Sequence, residues 1–393
     1  MNILVINAGS SSLKCAYFSD HTAIVTVHIE RIAEERSRIS FHSSVCNIER
    51  TSSIKDHQAA LEAMQSLFDE AGEHHLLDAL DAVGHRVVHG GDKFCTPTRI
   101  TPESVLHIRA LSQLAPLHNP ANLEGIKVLH RAYANIPHIA VFDTAFHTTI
   151  PSYARTYAID TAIAKRYHIH RYGFHGTSHS FVAKEAAKRL DKPLESLNLI
   201  TLHLGNGASA CAIQEGRSID TSMGFTPLEG LVMGTRSGDI DPAILPYLEQ
   251  NGYDTKSIDN LLNKESGLLG ICGTNDMREV ISLAEQGNPD ATLALEIFCY
   301  RIRKYIGAYA IALGSLDAIV FTGGIGEHAI KVRQMVCEGL GILGAKYDDA
   351  KNKAICTEGG SFHHHESSVL LLVVPTDEEL EIALQCEEAL TSL

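Results

Sequence analysis

Short apolar runs alternate with amphipathic segments along this 393-residue chain. The run NILVIN near the N-terminus predicts a buried strand, and LKCAYF, which follows it, predicts the other strand of a hairpin. HQAALEAMQSLFDEAG has apolar residues on one helix face, and Gly72 is placed to end that helix. NPDATLALEIFCYRIRKYIGAYAIALG predicts one long helix, with Asn288 as its cap and Gly314 after its end. This alternation predicts an α/β fold.

Further apolar runs predict three more buried strands. One lies in HIAVFDTAFH and ends near Asp143, one lies in LDAIVFTGG, and one covers the aliphatic run from Val369 to Val374. TSHSFVAKEAAKRL predicts a helix that opens with Thr177 or Ser178 as its capping residue. The aliphatic run from Val369 to Val374 is far too short to span a bilayer.

Three predicted strands lead into turns of glycine and other small residues. The first turn follows Asn7 in NAGSSSLK, the second covers Gly205 to Ser209, and the third is in FTGGIGEH. Segments 2–18 and 198–213 share a strand–turn–strand design, which indicates two duplicated halves. Any one turn alone is typical of a hairpin, but successive backbone N–H groups in small-residue turns also form anion-binding concavities. Lys14 would add a positive charge at the exit of the first turn.

The amino-acid composition limits the kinds of molecule that the protein is expected to bind. Apolar residues make up 45% of the chain, charged residues 20%, and the net charge is −14, which indicates a globular protein whose main partner is neither nucleic acid nor an anionic membrane. Nine cysteines occur without a C-x-x-C pair, and the N-terminal apolar run has no charged leader. We therefore expect reduced thiols and a cytoplasmic protein. No G-x-x-x-x-G-K-[ST] motif occurs, so a P-loop is excluded.

Nine motifs in order carry a resemblance to the acetate kinase family, in the acetate and sugar kinase/Hsp70/actin superfamily. They are VINAGSSSLK, GHRVVHGG, LAPLHNP, VFDTAFH, YGFHGTSH, HLGNGAS, TSMGFTPLEGLVMGTRSGDIDPA, FTGGIGEH and VPTDEE. The resemblance implies two duplicated actin-like ATPase (ribonuclease H-like) domains with a cleft between them. The first would cover 1–149, completed by a C-terminal helix at 379–393, and the second would cover 150–378 and hold the nucleotide. The implied reaction is reversible phosphoryl transfer from ATP to acetate, giving acetyl phosphate and ADP.

Arginines suit the chemistry that this reaction needs. A carboxylate is already a nucleophile, so alignment and charge neutralisation matter more than a strong base. Arg86 in GHRVVHGG and Arg236 in MGTRSGD each stand near glycines that permit close approach. The residues alone leave a structural salt bridge as an equal alternative for both. The resemblance implies that Arg86 binds substrate and that Arg236 contacts the transition state.

Two further residues are candidates for catalysis. His175 precedes a predicted helix N-terminus, where it could donate a hydrogen bond to a transferring phosphoryl oxygen, as the resemblance also implies. Asp143 follows a buried strand, where carboxylates commonly face a ligand crevice. The resemblance makes Asp143 an acid/base or a metal-orienting carboxylate. Because acetate needs no deprotonation at neutral pH, we favour orientation of a metal or of an arginine.

The resemblance also implies a pocket for the acyl group. Val88 lies two residues after Arg86 in a segment expected to be extended, which would place both side chains on one side. The implied substrate-binding residues are Arg86, Val88, Leu117, His118, Phe174 and Pro227. Valine at position 88 leaves less space than alanine would, so we expect propionate to be a poorer substrate than acetate but not an excluded one.

Nucleotide and metal positions follow from the same resemblance. The implied nucleotide-binding residues are Lys14, His203, Leu204, Gly205, Asn206, Gly207, Asp276, Met277, Arg278, Gly324, Ile325, Gly326, Glu327 and His328. Asn7 and Glu378 match the metal positions. Two oxygen ligands with nucleotide phosphates and water suit Mg²⁺, for which Mn²⁺ can substitute.

Some alternatives stay open at the level of sequence. A propionate or other short-chain acyl kinase of the same family is the nearest one. A superfamily ATPase switch without an acyl acceptor would need a partner-binding domain beyond the duplicated core, for which we expect no room. The run His363–His365 predicts a solvated hairpin tip, because adjacent strand residues face opposite ways and cannot all bind one ion. The resemblance alone implies a homodimer.

Overall fold

The computed structural model describes residues 1–9, 11–116 and 118–391, and it divides into two compact units. Unit 1 is Met1–Ala145 together with the segment that starts at Asp377. Unit 2 is Phe146–Thr376. The domain limits derived from the resemblance, with boundaries after 149 and 378, stay a prediction.

Unit 1 contains the first eight strands and the first four α-helices. The strands are β1 (Asn2–Ala8), β2 (Ser12–Ser19), β3 (Thr22–Glu30), β4 (Ser37–Ser43), β5 (Asn47–Ser52), β6 (Ala82–Val87), β7 (Thr98–Arg99) and β8 (His138–Phe142). The helices are α1 (His57–Glu70), α2 (His74–Asp78), α3 (Pro102–Ala110) and α4 (Asn119–Ala132).

Unit 2 contains the remaining strands and most of the helices. The strands are β9 (Asn198–Leu204), β10 (Ala208–Gln214), β11 (Arg217–Thr221), β12 (Ala318–Thr322), β13 (Gly360–Ser361) and β14 (Leu370–Val373). The helices are α5 (Ser152–Arg155), α6 (Thr161–Tyr167), α7 (Gly176–Arg189), α8 (Ile244–Gln250), α9 (Thr255–Lys264), α10 (Gly267–Cys272), α11 (Met277–Glu285), α12 (Pro289–Leu313), α13 (Gly323–His328), α14 (Ile330–Cys337) and α15 (Asp349–Lys353). The last helix, α16 (Glu378–Thr391), belongs to unit 1. Short 3₁₀ turns occur at Leu111–Gln113, Ala145–Thr149, Leu194–Ser196 and Leu340–Leu343.

The two sheets share one topology, which confirms the predicted duplication. In unit 1 the strand order is β5-β4-β3-β2-β1-β6-β8-β7, and in unit 2 it is β11-β10-β9-β12-β14-β13. In each sheet an antiparallel hairpin, β1–β2 or β9–β10, is followed by two parallel strands, β6 and β8 or β12 and β14. The shared core order is therefore three antiparallel strands and then two parallel ones.

Strand β1 is buried on both faces, which explains its unbroken apolar run. Leu4 and Ile6 face a core that also contains residues of α1, while Ile3 and Val5 face residues of α16. Gly84 of β6 permits the close packing of α16, since a Cβ there would lie 2.7 Å from the sulfur of Cys386. In unit 2, α7 packs on β9 and β12, and α12 packs on β9 and β10. Helices thus cover the strands whose carboxyl ends carry the candidate site.

Several local expectations are confirmed. The long helix α12 has Asn288 as its N-cap, whose side chain accepts a hydrogen bond from the Ala291 N–H at 3.0 Å, and Gly314 at its C-terminal end with φ of 75°. Gly72 follows α1 with φ of 73°. Within the described part of the chain, no helix is both long and apolar enough to cross a membrane.

Candidate active site

Four polar side chains meet at the carboxyl ends of the parallel strands of unit 1. Arg86, the penultimate residue of β6, donates from Nε to Oδ1 of Asp143 at 2.9 Å and from Nη2 to Oδ2 at 2.6 Å. Its Nη1 donates to Oδ1 of Asn7, near the end of β1, at 2.9 Å. The Glu378 carboxylate, in the first turn of α16, lies 3.8 Å from Nη2. Strands β1, β6 and β8 are adjacent and parallel, so residues at their carboxyl ends come together.

The electrostatics of this cluster are dominated by burial and by Arg86. Burial alone would lower the pKa of Arg86, but Asp143 and Glu378 outweigh that effect and raise the pKa above its usual range. Burial raises the pKa of the Glu378 carboxyl, and the charge of Arg86 offsets part of this increase. The Asp143 side chain is 1% exposed, so Arg86 supplies the charge that permits a buried carboxylate there. Arg86 therefore forms the salt bridge that the sequence left open, and its partner is Asp143, the carboxylate predicted to orient a metal or an arginine.

The predicted oxygen donors for a metal lie beside this cluster. Glu378 accepts no hydrogen bond from the residues that the structure describes, so its carboxylate oxygens remain available for a cation. The Asn7 Oδ1 accepts from Arg86 and keeps a second lone pair. Oxygen donors of this kind fit Mg²⁺. The described residues contain no group of three or more His, Cys, Asp or Glu side chains arranged to hold a metal.

Lys14 lies on the strand next to Asn7. The two residues are directly opposite in the β1–β2 register, so their side chains share one face of the sheet. Lys14 is exposed. Gly9 closes the turn between these strands with a hydrogen bond from its N–H to the Ser12 carbonyl at 2.8 Å. Ser10 of the same predicted turn lies outside the described residues.

The segment after β6 corrects one expectation about Val88. The strand ends at Val87, and Val88 lies in a bend, so strand alternation does not place its side chain. The reason is helix α4: Asn122 Oδ1 accepts the Val88 N–H at 3.1 Å, and Asn119 Oδ1 accepts the His89 N–H at 3.1 Å. Val88 remains largely buried, with 8% exposure.

Asn119 and Asn122 were missed by sequence reasoning. Asn122 also donates from Nδ2 to the Ala8 carbonyl at 2.7 Å, so it ties the end of β1 to the segment after β6. Both side chains are buried on α4. A buried asparagine at helical spacing is the signal that could have found them, because it must satisfy its hydrogen bonds inside the protein.

The remaining predicted acyl-pocket residues are spread over both units. His118 is the N-cap position of α4, with no capping bond from its side chain, while Leu117 lies outside the described residues. In unit 2, the Phe174 side chain is 2% exposed, and its carbonyl accepts a hydrogen bond from Nε2 of His147 at 2.9 Å. Pro227 contributes a carbonyl that accepts from Nη1 of Arg236 at 3.0 Å.

In unit 2, His175 and Arg236 converge on the turn between β9 and β10. A Cβ placed on Gly207 would lie 3.5 Å from Nε2 of His175 and 3.7 Å from Nη1 of Arg236. Gly205 and Gly207 close this turn through an N–H to carbonyl hydrogen bond of 3.0 Å. Two cationic or hydrogen-bonding side chains therefore face a partly exposed stretch of glycine backbone, an arrangement suited to an anion.

Arg236 has no carboxylate partner among the residues that the structure describes. Its Nη1 donates to the Pro227 carbonyl and lies 3.6 Å from the sulfur of Met233. Burial lowers the pKa of Arg236 from its usual value. The salt-bridge alternative thus fails for this arginine, and a partly buried guanidinium without a counter-charge is suited to an anionic ligand.

His175 occupies the N-cap position of α7, which corrects the expectation that Thr177 or Ser178 caps this helix. His175 has φ of 58°, and its side chain does not cap the helix. Instead its Nδ1 lies 2.9 Å from Ser209 Oγ, and its ring stacks on His203 with 4.3 Å between centroids. The His203 Nδ1 lies 2.7 Å from Ser178 Oγ. His175 is therefore held at this position by tertiary contacts with His203 of β9 and Ser209 of β10, and its ring lies beside Gly207.

A cavity of about 970 Å³ in unit 2 collects most of the predicted nucleotide residues. Its lining includes the predicted residues Gly205, Asn206, Asp276, Met277, Arg278, Gly324, Ile325 and His328. Sequence reasoning missed Ile281 and Ile330, which add apolar surface of the kind that a nucleobase requires, and Lys331, which adds a positive charge. The sequence signal that could have found the two isoleucines is their position: Ile281 lies four residues after Met277, and Ile330 follows the GIGEH motif closely.

The third glycine turn is a helix, not a turn. Residues Gly323–His328 form α13 directly after β12, so its N-terminal glycines stand at a helix start. Gly323 has φ of 75°, and a Cβ there would lie 2.8 Å from the Leu204 carbonyl oxygen. The Glu327 carboxylate accepts the N–H groups of Gly323 at 2.9 Å and Thr376 at 3.2 Å, so it holds the backbone in place. Leu204 and Gly326 are buried.

Asp276 and Arg278 form their own pair at the rim of this cavity. Asp276 caps α11, and both its oxygens accept from the Arg278 guanidinium, at 2.9 and 2.5 Å. These hydrogen bonds lower the pKa of Asp276 to about 2. The Arg278 side chain is 92% exposed, so a ligand can reach it.

Comparison with known proteins decides the family. The model of the Acetokinase family matches residues 2–384. The chain belongs to this family. It is 55% identical to an acetate kinase of Sulfurovum sp. (strain NBC37-1), with 100% of both chains covered.

Two solved structures share the fold. A propionate kinase from Francisella tularensis subsp. tularensis SCHU S4 is 44% identical, with a TM-score of 0.92 and 98% of each chain covered. The Porphyromonas gingivalis acetate kinase is 39% identical, with a TM-score of 0.93 and 99% of each chain covered. These matches confirm the predicted actin-like fold and identify the chain as a phosphotransferase with a carboxyl group as acceptor.

Proposed function

We propose that this family member transfers the γ-phosphoryl group of ATP to acetate, reversibly, giving acetyl phosphate and ADP. A carboxylate oxygen forms the new bond to the γ-phosphorus as the bond to the β–γ bridging oxygen breaks, and its electron pair leaves with ADP. No proton needs to move. The observation that carries the proposal is the position of Arg236, whose guanidinium faces Gly207 together with His175 and has no carboxylate partner among the described residues.

In this reaction Arg86 binds the acetate carboxylate, and Asp143 positions Arg86. The hydrogen bonds from Nε and Nη2 of Arg86 to Asp143 fix the plane of the guanidinium. The N–H groups that remain on the Nη1–Nη2 edge, beside the Nη1 bond to Asn7, are left for a second carboxylate. We assign the stabilisation of the transferring phosphoryl group to His175 and Arg236, because both side chains face the same glycine turn. Because the acetate carboxylate is itself the nucleophile, no residue of the protein has to form a covalent intermediate, and we propose direct in-line transfer.

The cavity in unit 2 is the proposed nucleotide site. Its backbone-rich edge at Gly205–Gly207 and the start of α13 would hold phosphates, and its apolar edge at Ile281 and Ile330 would hold the base. The exposed ammonium group of Lys14, beside the first glycine turn, is proposed to bind phosphate. His203 stacks on His175 and would hold the orientation of its ring.

Asn7 and Glu378 are the proposed protein ligands of Mg²⁺, for which Mn²⁺ can substitute. When bound, the ion would neutralise phosphate charge and orient the transferring group. The partly buried carboxylate of Glu378, without a hydrogen-bond donor among the described residues, supports this role.

The proposal is tested by measuring ATP consumption by the purified protein with formate, acetate, propionate and butyrate, each with and without Mg²⁺. We expect consumption only with acid and metal, and the highest kcat/KM with acetate. ATP turnover that ignores the acid would indicate a switch ATPase. A preference for propionate would favour the second candidate, which the 44% identity to the Francisella propionate kinase supports.

Val88→Ala is expected to raise the propionate-to-acetate ratio of kcat/KM by about tenfold, mainly by improving propionate. One methylene in an apolar pocket is worth about 1–3 kcal/mol, and alanine removes two carbons of wall. Val88→Thr, of nearly the same size, is the control and should leave the ratio close to that of the parent. If Val88→Ala keeps its activity and the parental ratio, Val88 does not determine chain length.

Glu378→Gln is expected to raise the Mg²⁺ concentration needed for half-maximal rate by at least about tenfold. Even outer-shell partners of a metal contribute about 10–100-fold to its affinity, and glutamine lacks the charge of the direct ligand. Electron paramagnetic resonance titration of Mn²⁺ with ADP measures the same loss without turnover. Glu379→Gln is the matched control, since Glu379 contacts Asn7 only at 3.5 Å. A larger effect of Glu379→Gln would move the metal ligand to that residue.

A homodimer and a cytoplasmic location are also proposed. Unit 2 exposes several large apolar side chains, which support association with a second copy: Tyr153, Ile159, Ile163, Tyr167, Tyr247 and Tyr253. All nine cysteines are free thiols, as expected in a reducing compartment. Sedimentation equilibrium measures the assembly directly.

A further inference from the structure

A chain of hydrogen bonds leads from the interior of unit 2 to His175. Thr201 Oγ1, on β9, lies 2.7 Å from Nδ1 of His179 on α7. The other ring nitrogen of His179, Nε2, lies 2.8 Å from Ser209 Oγ on β10. Ser209 Oγ lies 2.9 Å from Nδ1 of His175. Thr201, His179 and Ser209 are fully buried, so bulk solvent does not reach their polar groups.

The direction of these hydrogen bonds follows from Thr201. Among the residues that the structure describes, its hydroxyl has one hydrogen-bond partner, Nδ1 of His179. A buried hydroxyl that does not donate is left unsatisfied. Thr201 therefore donates to Nδ1. Burial, together with the neighbouring His147 and His203, lowers the pKa of His179 well below its usual value, so its ring is neutral and carries its one proton on Nε2.

The same reasoning continues along the chain. His179 Nε2–H donates to Ser209 Oγ, and within the described part of the chain His175 is the one acceptor left for the Ser209 proton. The Nδ1 of His175 thus accepts, and a neutral His175 carries its proton on Nε2. Nε2 is the nitrogen that lies 3.5 Å from the Cβ position of Gly207. In the reverse direction every ring would carry its proton on the other nitrogen, and the Thr201 proton would have no acceptor.

We propose that Thr201, His179 and Ser209 are positioning residues that hold His175 as the Nε2–H tautomer, so that it donates a hydrogen bond to the transferring phosphoryl group without being charged. The hydrogen bond from His175 to a phosphoryl group rests on the proposed function. The tautomer itself does not, because it is a property of the free protein. The opposite tautomer would direct a lone pair at an anionic oxygen and would oppose transfer.

The test is a long-range ¹H–¹⁵N spectrum of the full-length protein labelled with ¹⁵N-histidine, in which the tautomers of neutral histidines have distinct nitrogen shifts. The His175 signals are assigned from their loss in His175→Gln. We expect the Nε2–H pattern in the parent. Thr201→Val, which keeps shape and removes the donor, should mix the tautomers, lower kcat by about tenfold and leave the KM for ATP unchanged. Thr201→Ser should restore both the tautomer and the rate.

Ser218→Ala is the matched control. Ser218 is also a buried serine within hydrogen-bond distance of a histidine, with 2.9 Å between its Oγ and Nδ1 of His147. It does not belong to the chain of hydrogen bonds from Thr201 to His175. The His175 signals should be unchanged in this variant. An Nδ1–H pattern in the parent, or equal effects of Thr201→Val and Thr201→Ser, would overturn the proposal. The expected tautomer in a protein that consumes no ATP with any acid would instead overturn the proposed function alone.

Discussion

Arg236→Ala is expected to lower kcat by about 10²–10³-fold while the Kd for ADP changes by less than about threefold. This range is the cost of removing one preorganised donor from the site of a developing oxyanion. Arg236 faces Gly207, and none of the described carboxylates pairs with it, so its charge is available when negative charge builds up on the phosphoryl oxygens. An interaction that strengthens only in the transition state lowers kcat and kcat/KM together when it is lost.

Kinetics with both substrates and isothermal titration of ADP are measured on the same preparation. Arg278→Ala is the matched control: this arginine lines the nucleotide cavity, is 92% exposed, and is paired with Asp276. We expect it to raise the KM for ATP and the Kd for ADP with a small change in kcat. Arg236→Lys should recover only part of the rate, because an ammonium lacks the planar fork. Weak ADP binding with near-normal saturated turnover in Arg236→Ala would contradict the assigned role.

Arg86→Lys is expected to lower kcat/KM for acetate by about 10²-fold and to leave the KM for ATP nearly unchanged. Lysine keeps the positive charge but cannot bridge two oxygens of Asp143 and still present a flat edge to a second carboxylate. The acid-dependent parameter should therefore fall without a loss of nucleotide binding. A parallel rise in the KM for ATP would place Arg86 with the nucleotide instead.

Arg86→Ala should add a loss of stability to the loss of activity. Asp143 is 1% exposed, and removal of one partner from a buried ion pair costs about 3–5 kcal/mol in the free energy of unfolding. The double variant Arg86→Ala/Asp143→Ala removes both charges and should recover much of that stability in urea titrations, while acetate turnover stays low. Recovery of turnover along with stability would show that the arginine acts only as a structural partner.

The architecture of both sheets could be predicted because its signals are local. An unbroken apolar run such as NILVIN indicates a strand buried on both faces, and the repeated strand–turn–strand design indicated the duplication. Asn288 and Gly314 marked the two ends of a 25-residue helix through their caps. Where the signal was ambiguous, the prediction failed: glycines after β12 indicated a turn, yet they begin α13.

Sequence by itself determined the α/β class, the duplicated design and, through family resemblance, the candidate residues. Only the tertiary structure distinguished the two arginines, because a salt bridge depends on which strand ends are adjacent. Arg86 has Asp143 beside it, since β6 and β8 are parallel neighbours, and Arg236 has no described carboxylate. Likewise Asn122 and Thr201 look ordinary in the chain, and their roles arise from partners 114 and 22 positions away. Hydrogen-bonding side chains act over a few ångströms, so these roles exist only once the fold brings distant residues together.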